Sequence, residues 1–325
     1  MTNSNDELMM ETMYWWGIPT LFRCEHQKDV SKCDIALVGV PHSTGNGTTE
    51  RDQHLGPRAV RHVSAGLRRV HLDFNINPWK QKKIFDLGDV ALPHANNNER
   101  CIEDITNFYQ RIAKEKKPVV SIGGDHSITG GILQGLASNN LELTNGKKIS
   151  FLHIDAHTDT FSQLDHFMGA KKSAAHWGAY LVEQGIIDPK TSMQIGMRGN
   201  PRTLDWLQPS YDLGYNVVTM DEFKKRGIKD VIKETLEKIG DNPVYITFDL
   251  DSLDATVAPA VSNIEPGFTG FTIDEAKALI QSVKNKNVIG GDVVCLMPTK
   301  DQKNNITSMV AASIMFEIIS VIACN

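Results

Sequence analysis

The stretch "ISFLHIDAHTDTF" (149–161) joins an apolar run to histidines and aspartates that recur at every second position. Continuous hydrophobicity of this kind is typical of a strand buried on both faces, as in a parallel sheet. The polar cluster therefore follows directly after a predicted buried strand. Burying so much charge is costly unless a partner compensates it.

Seven further apolar runs have the same character, and polar turns and helical patterns separate them. They are "DIALVGV" (34–40), "KKIFDLG" (82–88), "PVVSIGG" (118–124), "TSMQIGM" (191–197), "YNVVTM" (215–220), "PVYITFDLD" (243–251) and "NVIGGDVVCL" (287–296). About eight strands alternating with helices predict a three-layer α/β/α fold with a central, mostly parallel sheet. We find no linker and no repeat. We therefore expect a single domain over 1–325, with an N-terminal arm (1–33) and an α/β core (34–325).

The composition is that of an ordinary globular chain of 325 residues, and the net charge of −5 leaves no basic footprint for nucleic acid. The five cysteines form no C-x-x-C pair, so we expect a reducing, cytoplasmic setting. The N-terminal stretch lacks the basic and apolar regions of a signal peptide. The segment 306–323 is apolar and long enough to span a membrane. Because Glu317 interrupts it and no basic cluster follows, we predict a buried core helix and no membrane partner.

Three of the predicted strands end in side chains that bind metals. In parallel α/β sheets, ligands bind beyond the carboxyl ends of the strands. The residues at these ends are Asp125 and His126, then Asp155, His157 and Asp159, then Asp249, Asp251 and Asp254. Period-2 geometry places Asp249 and Asp251 on one side of their strand.

So many acids in one place would repel one another strongly without a cation. Carboxylates and imidazoles without a nearby thiolate fit Mn²⁺-like metals better than a structural zinc site. Their number exceeds one coordination sphere, which indicates two metals with bridging ligands. Such pairs, roughly 3.5–4 Å apart, generate a hydroxide nucleophile at neutral pH, so the predicted chemistry is metal-assisted hydrolysis.

Three residues near the cluster have a structural interpretation beside the functional one. His153 lies deepest in its strand and is interpreted as structural rather than as a ligand. Asp125 is a candidate for orienting its loop or supporting a ligand. Asp254 fits a turn residue ahead of "ATVAP".

The motifs "GGDHSIT", "DAHTDT" and "FDLDSLDATVAPAV" resemble the metal-binding motifs of the ureohydrolase (arginase/agmatinase) family. The resemblance runs over nearly the whole chain, and its early stretches are most similar to the guanidinobutyrase and guanidinopropionase branch. It implies two divalent ions, Mn²⁺ first and Ni²⁺ as the alternative. Carried over by position, His126, Asp155, Asp159 and Asp249 would hold one metal, and Asp155, His157, Asp249 and Asp251 the other.

The resemblance also implies a reaction and an assembly. A hydroxide attacks the guanidinium carbon, Asp159 relays a proton, and urea and an amine are released. The departing amine must be protonated, because its anion is a poor leaving group. Members of the family form homotrimers or homohexamers, which we expect here too.

The chain departs from the family in the residues expected around the substrate. His176 is the candidate proton shuttle, although Trp177 follows it where the family has glycine; His166 is a second candidate, and packing is the alternative for His176. Cys295 stands where a glutamate is expected to pair with the guanidinium. Glu265 could supply that carboxylate instead, with Cys295 as an apolar pocket lining.

One more loop is a candidate for substrate contacts. The segment "PHSTGNGTTERDQHLGPR" (41–58) carries Asn46, which we predict to contact the substrate; a glycine-rich surface turn is the alternative. The leading function is hydrolysis of a small guanidino acid such as 4-guanidinobutanoate or 3-guanidinopropanoate. Agmatine, free guanidine and formimino compounds are alternative substrates. A metal-binding, non-catalytic subunit of a hetero-oligomer is the alternative from another class.

Overall fold

The computed structural model describes residues 4–47, 50–137, 143–144, 146–162 and 169–325. In this part of the chain the strands are β1 Ile35–Val40, β2 Ile84–Asp89, β3 Val119–Gly123, β4 Ser150–Ile154, β5 Met193–Met197, β6 Asn216–Thr219, β7 Val244–Asp249 and β8 Val288–Val294. The helices there are α1 Ser4–Thr12, α2 Gly56–Ser64, α3 Pro78–Gln81, α4 Asn98–Lys114, α5 Ile128–Ala137, α6 Trp177–Glu183, α7 Gln208–Leu213, α8 Met220–Arg226, α9 Ile228–Ile239, α10 Ile273–Ser282 and α11 Ile306–Ala323.

The eight strands form one sheet in the order β2-β1-β3-β8-β7-β4-β5-β6, and every neighbouring pair is parallel. Each strand agrees with one of the predicted apolar runs to within two residues at either end. The prediction of a central parallel sheet with helices around it is therefore confirmed.

Two hydrophobic layers cover the two faces of this sheet. Successive residues of a strand point to opposite faces. In β1, for example, Leu37 packs into the layer with α2 and α8–α11, whereas Val38 packs into the layer with α4–α6. Both side chains are fully buried. This double burial explains why the strands read as continuous apolar runs.

The apolar C-terminal segment forms helix α11, and 78% of that segment is buried within the protein. It packs against α2, α10 and β8. Its one charge, Glu317, accepts hydrogen bonds from His71 Nε2 and Gln281 Nε2, each at 2.8 Å. The predicted core helix is confirmed, and the buried carboxylate is satisfied inside the fold.

Candidate metal centre

The candidate ligands meet at the middle of the sheet. Strands β3, β8, β7 and β4 are neighbours there, and because they are parallel their carboxyl ends share one edge. The side chains at these strand ends are His126 after β3, Cys295 after β8, Asp249 as the last residue of β7, and Asp155, His157 and Asp159 after β4. Asp251 lies beyond β7 in the turn Leu250–Ser252, and not in the strand as its period-2 spacing predicted.

Local hydrogen bonds fix the ligand pairs that are spaced two residues apart. The Asp155 carboxylate accepts the backbone N–H of His157 at 2.8 Å, and the Asp249 carboxylate accepts that of Asp251 at 2.9 Å. Such Asx-type turns bend the chain directly after the strand. Both side chains of each pair are thereby held at the same corner of the centre.

His126 lies at the meeting point of three carboxylates. Its Nδ1 is 2.9 Å from Asp155 Oδ2, 3.0 Å from Asp159 Oδ2 and 3.2 Å from Asp249 Oδ2. All four side chains are buried. These four residues are the set that the family resemblance assigns to one metal.

His157 forms a second group that shares Asp155 with the first. Its Nδ1 is 3.4 Å from Asp155 Oδ1 and 3.4 Å from Asp251 Oδ2. The two carboxylate oxygens of Asp155 thus face different histidines. This arrangement suits a bridging carboxylate between two neighbouring ions.

A hydroxyl and a carboxylate behind His126 determine which ring nitrogen carries its proton. Asp292 accepts hydrogen bonds from the hydroxyls of Thr247 (2.7 Å), Tyr245 (2.8 Å) and Thr129 (2.9 Å). Because the Thr247 hydroxyl donates to Asp292, it accepts from His126 Nε2–H at 2.8 Å. The lone pair of a neutral His126 is then on Nδ1, facing the three carboxylates.

The same reasoning explains why His153 supports the centre without belonging to the ligand set. Gln194 Nε2 donates to the carbonyl oxygen of Thr158 at 2.6 Å, so its second proton points to His153 Nδ1 at 3.1 Å. His153 Nε2–H then donates to Asp155 Oδ2 at 2.7 Å. Although His153 lies close enough to the cluster to be a ligand, both of its ring nitrogens are engaged elsewhere. This agrees with its structural interpretation.

The cluster fits a pair of divalent cations in its donor atoms and in its charge. His126 Nδ1 and Asp251 Oδ2 are buried atoms without a hydrogen-bond partner, which is costly unless a cation satisfies them. Four aspartates carry a charge of about −4, which two divalent ions neutralise while both imidazoles stay neutral. The donors are carboxylate oxygen and imidazole nitrogen, which are common ligands of divalent metal ions in proteins.

In the metal-free protein, bound protons offset part of the negative charge of the aspartates. Burial opposes protonation of His126 and His157, but the nearby carboxylates outweigh it and hold the pKa of both imidazoles well above the ordinary value. Burial and the charge of Asp249 also raise the pKa of the Asp251 carboxyl. The two imidazoles therefore carry protons in the metal-free protein that a bound cation displaces.

We accordingly expect metal binding to release protons and to strengthen as the pH rises. The raised histidine pKa values mean that a falling pH favours the proton over the metal, by up to about tenfold in affinity per pH unit for each proton released. Calorimetric titration of the metal-free protein with Mn²⁺ at pH 6, 7 and 8 measures this dependence. His94→Gln, at an exposed imidazole outside the centre, is the control and should follow the wild type. An affinity that is constant over this range would contradict the expectation.

The centre opens into a cavity of about 440 Å³. His126, His157, Asp159 and Asp249 lie on its wall, and the segment that contains Asn200, Arg202, Thr203 and Trp206 contributes further lining. The predicted substrate residues Asn46, Glu265 and Cys295 line the same cavity. The structure thus brings together the metal cluster and these three candidates.

Glu265 stands directly beside the metal cluster. Its Oε1 lies 3.4 Å from His157 Nε2, and its carboxylate packs over Gly199, where a Cβ would come within 2.6 Å of Oε2. Gly199 has a φ of 102°, so a side chain there would be strained as well as crowded. The close approach of these two segments therefore holds Glu265 at the cavity wall.

Cys295 is a buried thiol next to acidic groups. Burial and the charges of Asp249 and Asp251 raise its pKa well above the ordinary value, so it is a neutral thiol. Its backbone is left-handed, with a φ of 70°, a conformation that costs about 1–3 kcal/mol for a non-glycine residue. The neutral thiol agrees with a pocket-lining role better than with a nucleophile.

His176 occupies a different position from the other candidates. It precedes helix α6, its Nδ1 is 2.6 Å from Ser173 Oγ, and burial lowers the pKa of its imidazole. The cavity is lined by Ala174 and Ala175, whereas His176 is not among the described residues that line it. Its role as a proton shuttle stays a prediction. His166 lies outside the described residues.

Asp125 and Asp254 have the structural contacts that were considered for them. Asp125 is fully buried and accepts the backbone N–H groups of Gly45 (2.8 Å) and Ser127 (3.0 Å). Asp254 accepts those of Thr256 (3.0 Å) and Gly270 (3.1 Å). Both carboxylates therefore order loops around the centre.

The sequence reasoning missed two residues, Arg198 and Trp177, that contact the ligands or the turn that carries them. The buried Arg198 guanidinium donates to the carbonyl oxygens of Asp251 (2.6 Å), Ser252 (3.0 Å) and Leu253 (2.9 Å), which fixes the turn that carries a candidate ligand. Trp177 Nε1 donates to Asp159 Oδ2 at 2.9 Å. Arg198 follows a strand end within "QIGMRG", which was a usable signal, whereas the direction of the Trp177 ring had none.

A parallel α/β sheet with a buried His/Asp centre at the carboxyl ends of its strands fits a metal-dependent hydrolase. The chain belongs to the arginase family, whose members are dinuclear-metal enzymes: residues 33–320 match this family. It is 31% identical over 303 residues to human mitochondrial guanidino acid hydrolase, covering 93% of this chain and 82% of that protein. It is 30% identical over 309 residues to guanidinopropionase of Pseudomonas aeruginosa, covering 94% and 92%. Proclavaminate amidino hydrolase of Streptomyces clavuligerus superposes with a TM-score of 0.87 at 28% identity, covering 96% and 99%. The chain is thus a hydrolase of the arginase family, whose named relatives act on guanidino compounds.

Proposed function

We propose that this hydrolase converts a small guanidino acid, such as 4-guanidinobutanoate or 3-guanidinopropanoate, to urea and an amine. The observation that carries the proposal is a single cavity lined by residues of the metal cluster, by Glu265 and by Arg202. A guanidino acid carries a cation at one end and a carboxylate at the other. Agmatine would bring a second cation into a cavity that already holds Arg202, and like charges repel.

The proposed roles of the ligands follow the two groups around Asp155. His126 and Asp159 would hold one ion and His157 and Asp251 the other, and Asp155 and Asp249 would be shared between them. Two divalent ions bound here, Mn²⁺ first and Ni²⁺ as the alternative, supply a nucleophile at neutral pH and offset negative charge that develops on the substrate.

The remaining steps belong to side chains of the cavity. Glu265 pairs with the substrate guanidinium, since the neutral Cys295 offers it no charge. Asp159 receives and passes on a proton, which the departing amine requires. Arg202 and Asn46 orient the substrate through its polar groups.

The function is tested with the protein reconstituted with Mn²⁺ or Ni²⁺ and a panel of five compounds. The panel contains 4-guanidinobutanoate, 3-guanidinopropanoate, agmatine, guanidine and N-formiminoglutamate, with urea measured for the first four and formamide for the last. We expect the highest kcat/KM for one of the two guanidino acids. If urea forms only from agmatine or guanidine, or if formamide is the only product, the protein is still a hydrolase but its substrate is not a guanidino acid.

One observation favours a second candidate function. Ala174, Ala175 and Cys295 line the cavity with small or neutral side chains, which suits a metal-binding subunit that supports an active partner without catalysis. The same panel separates the two. Two bound metal ions without product from any compound would support this candidate and contradict the leading one.

We also propose a homotrimer or homohexamer in the cytoplasm. Two apolar side chains of the N-terminal arm, Trp15 and Ile18, are 77% and 86% exposed in the single chain, which supports burial against another copy. The five cysteines are unpaired, which supports a reducing compartment. Light scattering of the purified protein measures the assembly, and a monomer would contradict it.

A further inference from the structure

Asp159 is the candidate ligand with the most unusual backbone. It is left-handed, with a φ of 51°, and a single residue, Thr158, separates it from the Asp155–His157 turn. A non-glycine residue persists in this conformation only when its surroundings hold it there. The contacts that hold Asp159 are therefore informative about how the centre is built.

The start of helix α6 supplies two of these contacts. Trp177 Nε1–H donates to Asp159 Oδ2 at 2.9 Å, and Gly178 N–H donates to the Asp159 carbonyl oxygen at 2.9 Å. A Cβ on Gly178 would lie 2.9 Å from that carbonyl oxygen and 2.9 Å from Thr160 Cγ2. The helix start thus approaches Asp159 as closely as a glycine allows and contacts both its backbone and its side chain.

The indole ring of Trp177 is itself held firmly. It is fully buried, and its ring centroid lies 5.0 Å from those of His126 and His153 and 5.4 Å from that of Phe151. The Tyr215 hydroxyl donates to the carbonyl oxygen of Gly178 at 2.7 Å, which anchors the same turn from outside. Because the ring is packed on several sides, its N–H can point in only one direction.

The oxygen that receives this N–H is the one that matters for the centre. Asp159 Oδ2 accepts from Trp177 and also lies 3.0 Å from His126 Nδ1, the atom that has no hydrogen-bond partner. A rotation of this carboxylate would move Oδ2 away from His126 Nδ1, where Asp155 and Asp249 also place a carboxylate oxygen. Hydrogen bonds to ligating carboxylates typically fix their orientation and tune the metal.

We propose that Trp177 is a positioning residue that orients the Asp159 carboxylate for one of the two metal ions through its indole N–H. The inference rests on the dinuclear centre of the proposed function. It predicts that Trp177 affects the binding of one ion. Binding of the other ion by the group around His157 and Asp251 does not depend on the indole. A purely packing role for the ring would instead affect stability, and both ions alike.

The experiment compares three forms of the full-length protein, stripped of metal and titrated with Mn²⁺. Trp177→Phe removes the N–H and part of the ring. Replacement of Trp177 by β-(3-benzothienyl)alanine keeps the bicyclic shape and removes only the N–H, so it remains informative where the phenylalanine variant fails to fold. Trp79→Phe is the matched control, because the Nε1 of this half-buried tryptophan has no hydrogen-bond partner and the ring packs on Phe22.

We expect the affinity for only one of the two bound Mn²⁺ ions to change. In the phenylalanine and benzothienyl forms, affinity for one Mn²⁺ falls about 10–100-fold while affinity for the other changes by less than about threefold. Trp79→Phe binds both ions as the wild type does. In steady-state assays, kcat falls in both Trp177 forms with KM nearly unchanged, since the indole lies behind Asp159.

Two outcomes overturn the inference without touching the proposed function. One is wild-type affinity for both ions in the benzothienyl form. The other is an equal loss for both ions in the two Trp177 forms, which indicates packing alone. A wild-type protein that binds no divalent ion would instead refute the dinuclear centre, and the inference with it.

Discussion

Asp155→Asn is expected to remove the metal centre and with it the activity. Asp155 is the residue shared by the two groups: one of its oxygens faces His126, and the other faces His157. An amide keeps the shape but loses the charge and one acceptor, so neither ion is held as before. Losing a single transition-state donor costs about 10²–10³-fold in kcat, so we expect a loss on the order of 10³-fold or more. Metal analysis after dialysis and urea assays measure both effects.

The matched control for this variant is Asp254→Asn. Asp254 lies three residues beyond Asp251, but its carboxylate accepts backbone N–H groups of the loop and stays outside the cluster. We expect this variant to bind two ions and to keep most of its activity. Asp155→Asn protein that retains two tightly bound ions would contradict the bridging role. Thermal unfolding of both variants checks that each is folded.

Glu265→Gln is expected to weaken the use of guanidino substrates without loss of metal. Glutamine can still accept from His157 Nε2–H, which lies 3.4 Å from the present carboxylate, but it cannot offer the charge that attracts a guanidinium. A hydrogen bond to a charged group contributes about 1.5–3 kcal/mol, so kcat/KM should fall about 10–100-fold. Steady-state kinetics with the best guanidino acid, together with metal analysis, measure this.

Cys295→Glu in the Glu265→Gln background tests whether the Glu265→Gln enzyme loses activity only because the cavity lacks a negative charge. Both positions line the same cavity, so a carboxylate at 295 is expected to restore part of the lost kcat/KM. A Glu265→Gln enzyme with wild-type kinetics would contradict the pairing with substrate. A variant that loses metal would instead indicate that Glu265 serves mainly to orient His157.

The strands and the convergence of the candidate ligands were largely predictable from the sequence. Strands buried on both faces need continuous apolar runs, and such runs are visible without any knowledge of the neighbours. The spacing of two between Asp155 and His157, and between Asp249 and Asp251, follows from the turn that each aspartate forms with the N–H two residues on.

The support of the ligands was only partly predictable. Thr247 and Asp292 are polar residues inside apolar strands, and Thr247 shares a face with Asp249, which was a usable signal for a hydrogen-bonded partner of a ligand. Their pairing was not predictable, because it depends on β8 lying between β3 and β7 in the sheet. Sheet order is decided by packing of the whole chain, and strand patterns do not record it.

The direction of single side chains was the least predictable feature. His176 and Trp177 are adjacent in sequence, yet the histidine contacts Ser173 and the tryptophan contacts Asp159. The outcome depends on the left-handed backbone of Asp159 and on where α6 begins. Neither quantity has a signature in residue type or spacing, so the tryptophan was passed over.

The central claim is that two divalent ions held by this cluster drive hydrolysis of a guanidino acid. Titrating metal-free protein with Mn²⁺ while following urea release from 4-guanidinobutanoate and from 3-guanidinopropanoate tests it most directly. We expect urea formation from at least one of them to rise until two equivalents of metal are bound per chain and then to level off. Urea formation that saturates at one equivalent, or no urea from either compound with two ions bound, would contradict the account.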